Sequence, residues 1–433
     1  MKEPFVVREY DSIICENENV TTEYYRQMPE TDFKRLEDFI RNYSSEEDEA
    51  DALDFMSISY NKRGLGDVIH VKNYVGMIQM QDGSQIEILP KISFDEEGSD
   101  KTKEVFLKML RSMKDFPGKV YNNANLSIDR MNLYEIFISM YISEVRELAK
   151  KGLKSAYIQQ EDNLRYYKGK LVVSEHIRQN MVHKEKFYVS YDEYQVNRPE
   201  NRLIKATLLK LQKITSDNYN AKEIRQLLSY FELVDTSANY QKDFTQVIID
   251  RNTREYELIL LWSKVFLMNK SFTTFAGEDA ARALLFPMEK VFEAYVADNL
   301  RRIMRGSKWH VSTQDKGFYL FESPRKQFAL RPDIVLEKHG EAPIILDTKW
   351  KRLVNDARKN YGISQADMYQ MYAYGKKYNA SEIWLLYPKT EEMNNMNGFV
   401  FDSGDGIKVH LFFVDVSKID KSILELKNRI ERM

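Results

Sequence analysis

Residues 328–351 read FALRPDIVLEKHGEAPIILDTKWK, and this stretch decides how the C-terminal part of the chain folds. Apolar and β-branched residues around Asp333 and before Asp347 predict two adjacent buried strands joined by a turn. Burying a carboxylate among such residues costs free energy unless the carboxylate is paired or holds a metal. Two aspartates and Lys349 at matched points of these strands therefore indicate a site, and Mg²⁺ is its simplest occupant because carboxylate oxygens suit it.

The order Pro332-Asp333, followed by Asp347-x-Lys349, matches the pattern PD-(D/E)xK of metal-dependent nucleases. A lysine beside a divalent cation can stabilise the transition-state charge of a phosphodiester or help to position the attacking water. So short a motif also arises by chance, and the alternative is a surface hairpin in which Asp347 and Lys349 form an exposed ion pair. The apolar residues that flank both aspartates favour the nuclease interpretation.

The composition is that of a folded protein with two or three domains. Its 433 residues can bury more than one core, and 43% hydrophobic with 30% charged residues excludes wholesale disorder. Because the net charge is only −2, contacts with nucleic acid must come from local basic clusters, such as Lys351 and Arg352 beside the acidic site. The single cysteine, Cys15, excludes an internal disulfide and a cysteine-based zinc site.

The sequence argues against secretion, against a membrane partner and against nucleotide binding by this chain. The chain starts without a secretory signal, so we expect a cytoplasmic protein. The most apolar long stretch, residues 133–145, is interrupted by glutamates and too short to span a bilayer, so no membrane partner is expected. No G-x-x-x-x-G-K-[ST] sequence occurs, so we expect this chain to bind no nucleotide itself.

The pattern predicts a multidomain protein of mixed α and β class. The predicted regions are a β-rich region at 1–95, a mostly helical region at 96–275 and an α/β domain at 280–433. In the first region, Asp82-Gly83 between alternating apolar segments predicts a hairpin turn. In the second, Asn201 and Arg202 stand before a helix predicted at 203–214, where they either cap that helix or face a partner.

Within the C-terminal domain the pattern predicts the element order α-β-β-β-α-β. The first helix begins at Pro287 and carries Glu289 and Glu293 four residues apart on one face. The second helix carries Gln370 and Tyr374 in the same arrangement. Both helices therefore present polar groups that could reach the two aspartates.

The last 150 or so residues resemble the PD-(D/E)xK nuclease superfamily, in the branch with a Q-x-x-x-Y element, here Gln370 to Tyr374. The wider chain resembles the McrC family, the nuclease subunits of McrBC-type modification-dependent restriction systems. The fragments that carry this resemblance are Val75-Gly76, Ile86–Ile92, Gly169–Leu171, Tyr191–Glu193, Asn201–Leu203, Phe292-Glu293, Leu346–Lys351 and Asp367–Tyr374.

The resemblance implies a restriction-endonuclease-like C-terminal domain and a division of labour between two proteins. In the family, a AAA+ GTPase of the McrB type forms a hexameric ring, usually reads the modified base and translocates double-stranded DNA. The McrC-like chain docks into the ring through its N-terminal part, stimulates GTP hydrolysis and cuts the modified, methylated DNA. The implied role is antiviral defence, and we expect the nuclease to be inactive without its ring.

The resemblance also implies roles for individual residues. Asp333 and Asp347 would hold Mg²⁺, with Mn²⁺ tolerated in its place, assisted by the carbonyl of Thr348. Lys349 would act on the nucleophile or the transition state. Glu293 would orient the metal or the attacking water.

Further roles follow for the surroundings of the site. Glu289 is the alternative to Glu293 as the helix carboxylate. Gln370 and Tyr374 would line the site and touch the DNA backbone, and Lys351 with Arg352 would bind phosphates. For the contact with the ring, the candidates are Asp82, Gly83, Asn201 and Arg202.

Two other functions are compatible with the pattern. The chain could be a stand-alone RecB-like DNA repair nuclease, which would differ by its independence of a partner. It could also be a catalytically silent scaffold that only activates the ring. The intact set of Asp333, Asp347 and Lys349 speaks against a decayed site.

Overall fold

The computed structural model describes residues 4–16, 25–42, 55–61, 66–80, 84–92, 99–113, 116, 132–251, 253–268, 281–390, 393 and 398–433. The chain divides into two compact units. The first consists of residues 2–116, 128–130 and 279–433, and the second of residues 117–127 and 131–278 with Met1. The region predicted at 1–95 and the domain predicted at 280–433 therefore lie in one unit.

The N-terminal part of the first unit is rich in strands, as predicted, but also contains helices. Its elements are β1 (Phe5–Arg8), β2 (Ser12–Cys15), β3 (Arg26–Met28), α1 (Glu30–Asn42), β4 (Met56–Asn61), β5 (Gly66–Val71), β6 (Tyr74–Met80), β7 (Gln85–Leu89) and α2 (Ser99–Leu110). One four-stranded sheet has the order β3-β2-β5-β4. Strands β6 and β7 pair antiparallel, as the hairpin prediction requires, whereas Asp82 and Gly83 lie outside the described residues.

The second unit contains helices and a small sheet. Its elements are α3 (Leu133–Lys151), β8 (Ala156–Leu164), β9 (Lys170–Leu171), α4 (Val173–Asn180), β10 (Phe187–Gln195), α5 (Pro199–Ile214), α6 (Asn218–Tyr230), α7 (Tyr240–Gln246) and α8 (Tyr256–Met268). The sheet has the order β8-β10-β9 and is antiparallel. It escapes prediction because β8 reads AYIQQEDNL, which lacks the alternation of apolar and polar residues that marks a half-buried strand.

The polar residues near Asn201 belong to the first turn of α5, because Pro199 is the first residue of that helix. Asn201 is 0% exposed, donates to the carbonyls of Lys154 and Val196, and accepts from the Tyr256 hydroxyl. The expectation that Asn201 caps a following helix is therefore wrong, because Asn201 lies inside α5 and its side chain is enclosed by the fold. A contact of Asn201 with a partner stays a prediction.

Arg202 is likewise engaged within this unit. Its guanidinium donates to both carboxylate oxygens of Asp243, at 2.6 and 3.2 Å, and to the carbonyl of Asn197. A charge-assisted pair of this geometry ties α5 to α7. A contact of Arg202 with a partner stays a prediction.

The C-terminal part of the first unit is an α/β domain. Its elements are β11 (Ala281–Pro287), α9 (Met288–Met304), β12 (His310–Thr313), β13 (Tyr319–Phe321), β14 (Gln327–Ala329), β15 (Ile334–Glu337), β16 (Ile344–Thr348), a 3₁₀ segment (Ala357–Gly362), α10 (Gln365–Tyr378), β17 (Glu382–Pro388), β18 (Val400–Asp402), β19 (Lys408–Val414) and α11 (Ile419–Glu431). The predicted mixed α and β class is confirmed.

A six-stranded sheet of order β12-β15-β16-β17-β19-β18 forms the centre of this domain. Strands β16, β17 and β19 are parallel, and the others are antiparallel to their neighbours. Alternate residues of these strands pack on α10, because successive side chains of a strand point to opposite faces. Helices α9 and α11 pack on each other and on β16 and β19.

Strand β11, which the sequence pattern did not predict, joins this domain to an N-terminal sheet of order β1-β7-β6-β11. It pairs antiparallel with β6 and runs directly into α9, whose first backbone N–H, of Met288, donates to the carbonyl of Asn73. Gly76 makes this pairing possible, because its φ is +146° and a Cβ there would lie 1.9 Å from the carbonyl oxygen of Leu284. The start of α9 is thus fixed by the N-terminal sheet.

Among the described residues, no helix combines the length and the apolar composition needed to cross a bilayer.

Candidate active site

The two aspartates of the motif face each other across β15 and β16. In the antiparallel register Ile334 pairs with Leu346 and Leu336 with Ile344, so the next position along places Asp333 opposite Asp347. Asp347 lies within β16, while Asp333 immediately precedes β15 and was predicted inside the strand. The strand begins only after Asp333 because Pro332 has no N–H to donate to the ladder.

The contacts of Asp333 and Asp347 leave oxygen atoms available for a ligand. Asp333 accepts through Oδ2 from both the backbone N–H and the hydroxyl of Thr348, at 2.7 and 2.6 Å. Asp347 is 1% exposed, and its Oδ2 lies 2.6 Å from Nζ of Lys349. The ammonium of Lys349 is thus the described partner of this buried oxygen.

Burial raises the pKa of both carboxyls. Burial, and then the charge of Asp333, raise the pKa of Asp347 to about 7 in spite of Lys349. Burial also raises the pKa of Asp333, against the hydrogen bonds from Thr348. For Lys349, burial would lower the pKa, but the Asp347 carboxylate and the other nearby acids outweigh it, so the ammonium is favoured. Both pKa values are raised, which favours the neutral acid at Asp347 and the ammonium at Lys349.

A chain of hydrogen bonds holds Lys349 and connects it to the backbone before Asp333. Nζ of Lys349 donates to Oε1 of Gln370 at 3.2 Å, Nε2 of Gln370 donates to the Tyr374 hydroxyl at 2.8 Å, and that hydroxyl donates to the carbonyl of Arg331 at 3.0 Å. The predicted pairing of Gln370 and Tyr374 is confirmed. Tyr374 is buried with its hydroxyl engaged, so it supports the site, while a contact of Gln370 with DNA stays a prediction.

Helix α9 brings Glu293 to the edge of the same site. Oε1 of Glu293 accepts from Gln314, whose backbone N–H donates to the carbonyl of Asp333. Burial, and then the charge of Asp333, raise the pKa of Glu293. Glu289 is exposed one turn earlier, and its charge contributes to the raised pKa of Asp333. Of the two predicted helix carboxylates, Glu293 is therefore the one with a hydrogen-bonded link to the site.

The donor set fits a hard divalent cation. In the described part of the chain, no three His, Cys, Asp or Glu side chains come together to hold a metal. Two carboxylates remain. The described hydrogen bonds of Asp333 are confined to its Oδ2, and the described ion pair of Asp347 also involves only its Oδ2. Mg²⁺ commonly takes only one or two protein carboxylates and fills its other positions with water and phosphate, so these residues suit it.

Two basic residues lie beside the site. Lys351 pairs with Asp367 of α10 at 2.8 Å, and Arg352 lies at the surface. A contact of either residue with DNA stays a prediction.

A small hairpin, β13 with β14, ends just before Asp333 and displays aromatic residues that the sequence analysis did not single out. Phe321 is 55% and Phe328 69% exposed, with ring centroids 5.9 Å apart, and Phe328 has a φ of +57°, which is rare for a bulky side chain. No described ion pair involves the four cationic residues around them, which are Lys316, Arg325, Lys326 and Arg331. The signal was present in FYLFESPRKQF, where aromatic and basic residues alternate with turn residues.

Glu9, which follows β1, was also missed, and it contacts Trp350, the residue after Lys349. Its Oε2 accepts from Nε1 of Trp350 and from the backbone N–H of Lys91, both at 3.0 Å. Glu9 is 3% exposed, and burial raises its pKa to about 6 against the nearby charge of Lys91. No local pattern in the sequence could have linked residues so far apart.

Comparison with known proteins places the chain in a family. None of the curated proteins matches it. Among solved structures, it is similar to a chain of the tetradecameric assembly of Thermococcus gammatolerans McrB AAA+ hexamers with bound McrC, with 19% identity, a TM-score of 0.71, and coverage of 99% of this chain and 100% of that chain. A chain of the Thermococcus gammatolerans McrBC complex matches at 19% identity and a TM-score of 0.49, covering 69% of this chain and 88% of that one.

At 19% identity, the first of these likenesses shows a shared fold. Residues 69–388 match the family described as McrBC 5-methylcytosine restriction system component, which confirms the resemblance drawn from the sequence. Because this match spans well over half of the 433 residues, the chain belongs to the McrBC 5-methylcytosine restriction system component family.

Proposed function

We propose that this chain is the nuclease subunit of a McrBC-like restriction complex, a metal-dependent endonuclease that cuts methylated DNA and stimulates the GTPase of a AAA+ partner ring. The observation that carries the proposal is the opposition of Asp333 and Asp347 across two antiparallel strands, with Nζ of Lys349 2.6 Å from Asp347. The order of α9, the six-stranded sheet, α10 and α11 supports a PD-(D/E)xK nuclease domain.

Asp333, Asp347 and the carbonyl of Thr348 would hold the cation, Mg²⁺ or in its place Mn²⁺. When bound, the cation supplies Lewis-acid activation of a phosphodiester and of water. Lys349, kept charged by the neighbouring carboxylates and oriented by Gln370, places its ammonium where negative charge develops on the phosphate. Glu293, with its raised pKa, is suited to exchange a proton with water beside Asp333.

DNA would lie across the edge of the domain at which β15 begins and β16 ends. The exposed Phe321 and Phe328 offer apolar surface, and the cations of the same hairpin have no described acidic partner, which suits a phosphate backbone. Arg352 would add to this surface. Lys351 would have to exchange its ion pair with Asp367 for a phosphate contact.

The partner is inferred from fold and sequence together. The solved structure with the shared fold contains McrB AAA+ hexamers with bound McrC, and its likeness extends over 99% of this chain. A chain without the G-x-x-x-x-G-K-[ST] motif needs a separate protein to hydrolyse nucleotide. We therefore infer that a McrB-like ring binds this chain, supplies the recognition of methylated DNA and releases its nuclease activity.

The test compares wild type, Asp347→Ala and Asp298→Ala, each assembled with the AAA+ GTPase of the same system, on methylated and unmethylated DNA. Asp298 lies on the exposed side of α9 and serves as the matched control. We expect wild type and Asp298→Ala to cut methylated DNA in Mg²⁺, and Asp347→Ala to stimulate GTP hydrolysis normally without cutting.

Each alternative function predicts a different result in this experiment. Cutting by the isolated chain, with no effect of the ring, would establish a stand-alone nuclease. Stimulation of GTP hydrolysis without any cutting by wild type would establish a silent activator. Full cutting by Asp347→Ala would refute the assignment of the site.

A further inference from the structure

The catalytic strands are held from two directions. On one side, the side chains of Lys349 and Lys351 reach α10, where they contact Gln370 and Asp367. On the other side, Trp350 between them turns away and is buried, because successive residues of an extended chain point to opposite faces. The contacts that hold Trp350 in place therefore also restrict the positions of Lys349 and Lys351.

The anchor of Trp350 is built by the N-terminal sheet. Nε1 of Trp350 donates to both carboxylate oxygens of Glu9, at 3.0 and 3.2 Å, and its carbonyl accepts from Nζ of Lys91 at 2.8 Å. The Glu9 carboxylate also accepts from the backbone N–H of Lys91, so a closed set of hydrogen bonds joins three distant segments. The indole ring packs on Phe292, 5.3 Å between centroids, which is next to Glu293 on α9.

The same sheet fixes α9 by an independent connection. Strand β11 pairs with β6 along its whole length and leads into α9, and the carbonyl of Asn73 accepts from Met288. Both the helix that carries Glu293 and the loop that carries Lys349 therefore take their positions from the sheet β1-β7-β6-β11.

We propose that Glu9 is a positioning residue of the nuclease, which holds Trp350 so that Lys349 and Lys351 point into the site, and that the N-terminal sheet is thereby an essential part of the catalytic centre. This inference rests on the proposed nuclease function. A purely structural anchor would not need a carboxylate at this buried position, where burial penalises the charge. The carboxylate is explained by its ability to accept several hydrogen bonds at once and so to fix the orientation of the indole.

The experiment measures kcat and KM for cleavage of methylated DNA by the assembled complex for wild type and the variants Glu9→Ala, Glu9→Gln, Trp350→Phe and Asp11→Ala. Gln can keep both 3.0 Å contacts with its carbonyl oxygen at the position of Oε2. Asp11→Ala is the matched control, because Asp11 anchors the same N-terminal segment through Arg8 and Arg26 and has no described contact with Trp350.

We expect Glu9→Ala and Trp350→Phe to lower kcat at least ~10-fold with little change in KM, since a small displacement of a catalytic group is costly. Asp11→Ala should stay close to wild type. Glu9→Gln should fall between wild type and Glu9→Ala, because its amide keeps the two contacts of Oε2 but places a donor at the position of Oε1, 3.2 Å from Nε1 of Trp350. The double variant Glu9→Ala/Trp350→Phe should be no slower than Trp350→Phe alone, because both changes remove one interaction.

A second readout does not depend on cleavage. In the chain without Mg²⁺, hydrogen exchange of the backbone at residues 349–353 should be faster in Glu9→Ala than in Asp11→Ala. Unchanged exchange there, wild-type kcat in Trp350→Phe, or effects of the two single variants that multiply would each overturn the proposal.

The design also covers a folding failure and a failure of the underlying function. If Glu9→Ala does not fold, Trp350→Phe decides together with the exchange measurement, because it keeps an aromatic ring on Phe292 and removes the N–H donor along with part of the indole ring system. If the wild-type complex does not cut DNA, the proposed function fails. If wild type cuts and the Trp350→Phe complex cuts equally fast, the role of Glu9 fails.

Discussion

Replacing Asp347 by asparagine should abolish cleavage and at the same time stabilise the protein in the absence of divalent cations. The carboxyl is buried, and its pKa is raised from 3.8 to about 7 by burial and by the charge of Asp333. A raised pKa means that the folded protein favours the neutral acid, so the stability that Asp347 contributes is fully present below pH ~4 and is lost as the pH rises to about 7. Asparagine has no charge to bury and should not show this loss.

The size of the effect follows from the two pKa values. A difference of about three in pKa corresponds to about 4 kcal/mol of unfolding free energy, since each unit is worth ~1.4 kcal/mol. The attraction of Lys349 is already contained in that pKa, so it does not reduce the figure further. We therefore expect Asp347→Asn to be up to about 4 kcal/mol more stable than wild type above pH 7, and equal to it near pH 4.

The measurement is urea-induced unfolding of both proteins at pH 4 and pH 8 in the presence of a chelator, with Asp298→Asn as control. Added Mg²⁺ should then stabilise wild type at pH 8 more than Asp347→Asn, because the cation binds only a site with its carboxylate ligand intact. Equal stability of the two proteins at pH 8 would refute the claim that the buried Asp347 carboxylate destabilises the fold. Equal stabilisation of both by Mg²⁺ would refute the claim that this carboxylate binds the cation.

Three further predictions concern the surroundings of the site. Gly76→Ala should lower the melting temperature markedly, because its Cβ would meet the carbonyl of β11 at 1.9 Å, whereas Gly340→Ala, with no atom within 4 Å, should cost only the strain of its positive φ, ~1 kcal/mol. Tyr374→Phe removes the hydroxyl that links Gln370 to the backbone before Asp333, and cleavage should slow while stability falls by ~1 kcal/mol. The double variant Phe321→Ala/Phe328→Ala removes two exposed rings, so DNA binding should weaken in a fluorescence titration while the unfolding midpoint stays unchanged.

The residues at the centre of the site could be predicted from the sequence, whereas the distant residues that hold them in place could not. Asp347 lies in a continuous apolar strand whose pattern predicts it, Lys349 follows directly after that strand, and the spacing of Gln370 and Tyr374 follows from helical geometry. Their opposition to Asp333 also follows from antiparallel pairing of adjacent strands. These features are local in the chain, so sequence reasoning can reach them.

The remaining features depend on long-range contacts or on exposed structure. Strand β11 pairs with β6, and Glu9 accepts a hydrogen bond from Trp350. No local sequence pattern near these segments indicates which distant segment each one contacts. The sheet of β8 and β10 presents mostly polar residues and so lacks a periodic signal. Asn201 was expected to cap a helix predicted at 203–214, but that helix begins at Pro199, and the buried Asn201 side chain makes three hydrogen bonds to distant or preceding segments.

The long reach from Glu9 to Trp350 has a consequence for the newly made protein. The two residues are 341 positions apart, and a ribosome that adds about 5–20 residues per second needs ~20–70 s to travel between them. During that time the Glu9 carboxylate has no Trp350 indole to bind, and for most of it β6 has no β11 to pair with. A nascent or truncated polypeptide would therefore lack the assembled arrangement around Trp350 and Lys349, and a chain clipped near Glu9 would lose it. Under the proposed function, such fragments would not cut DNA.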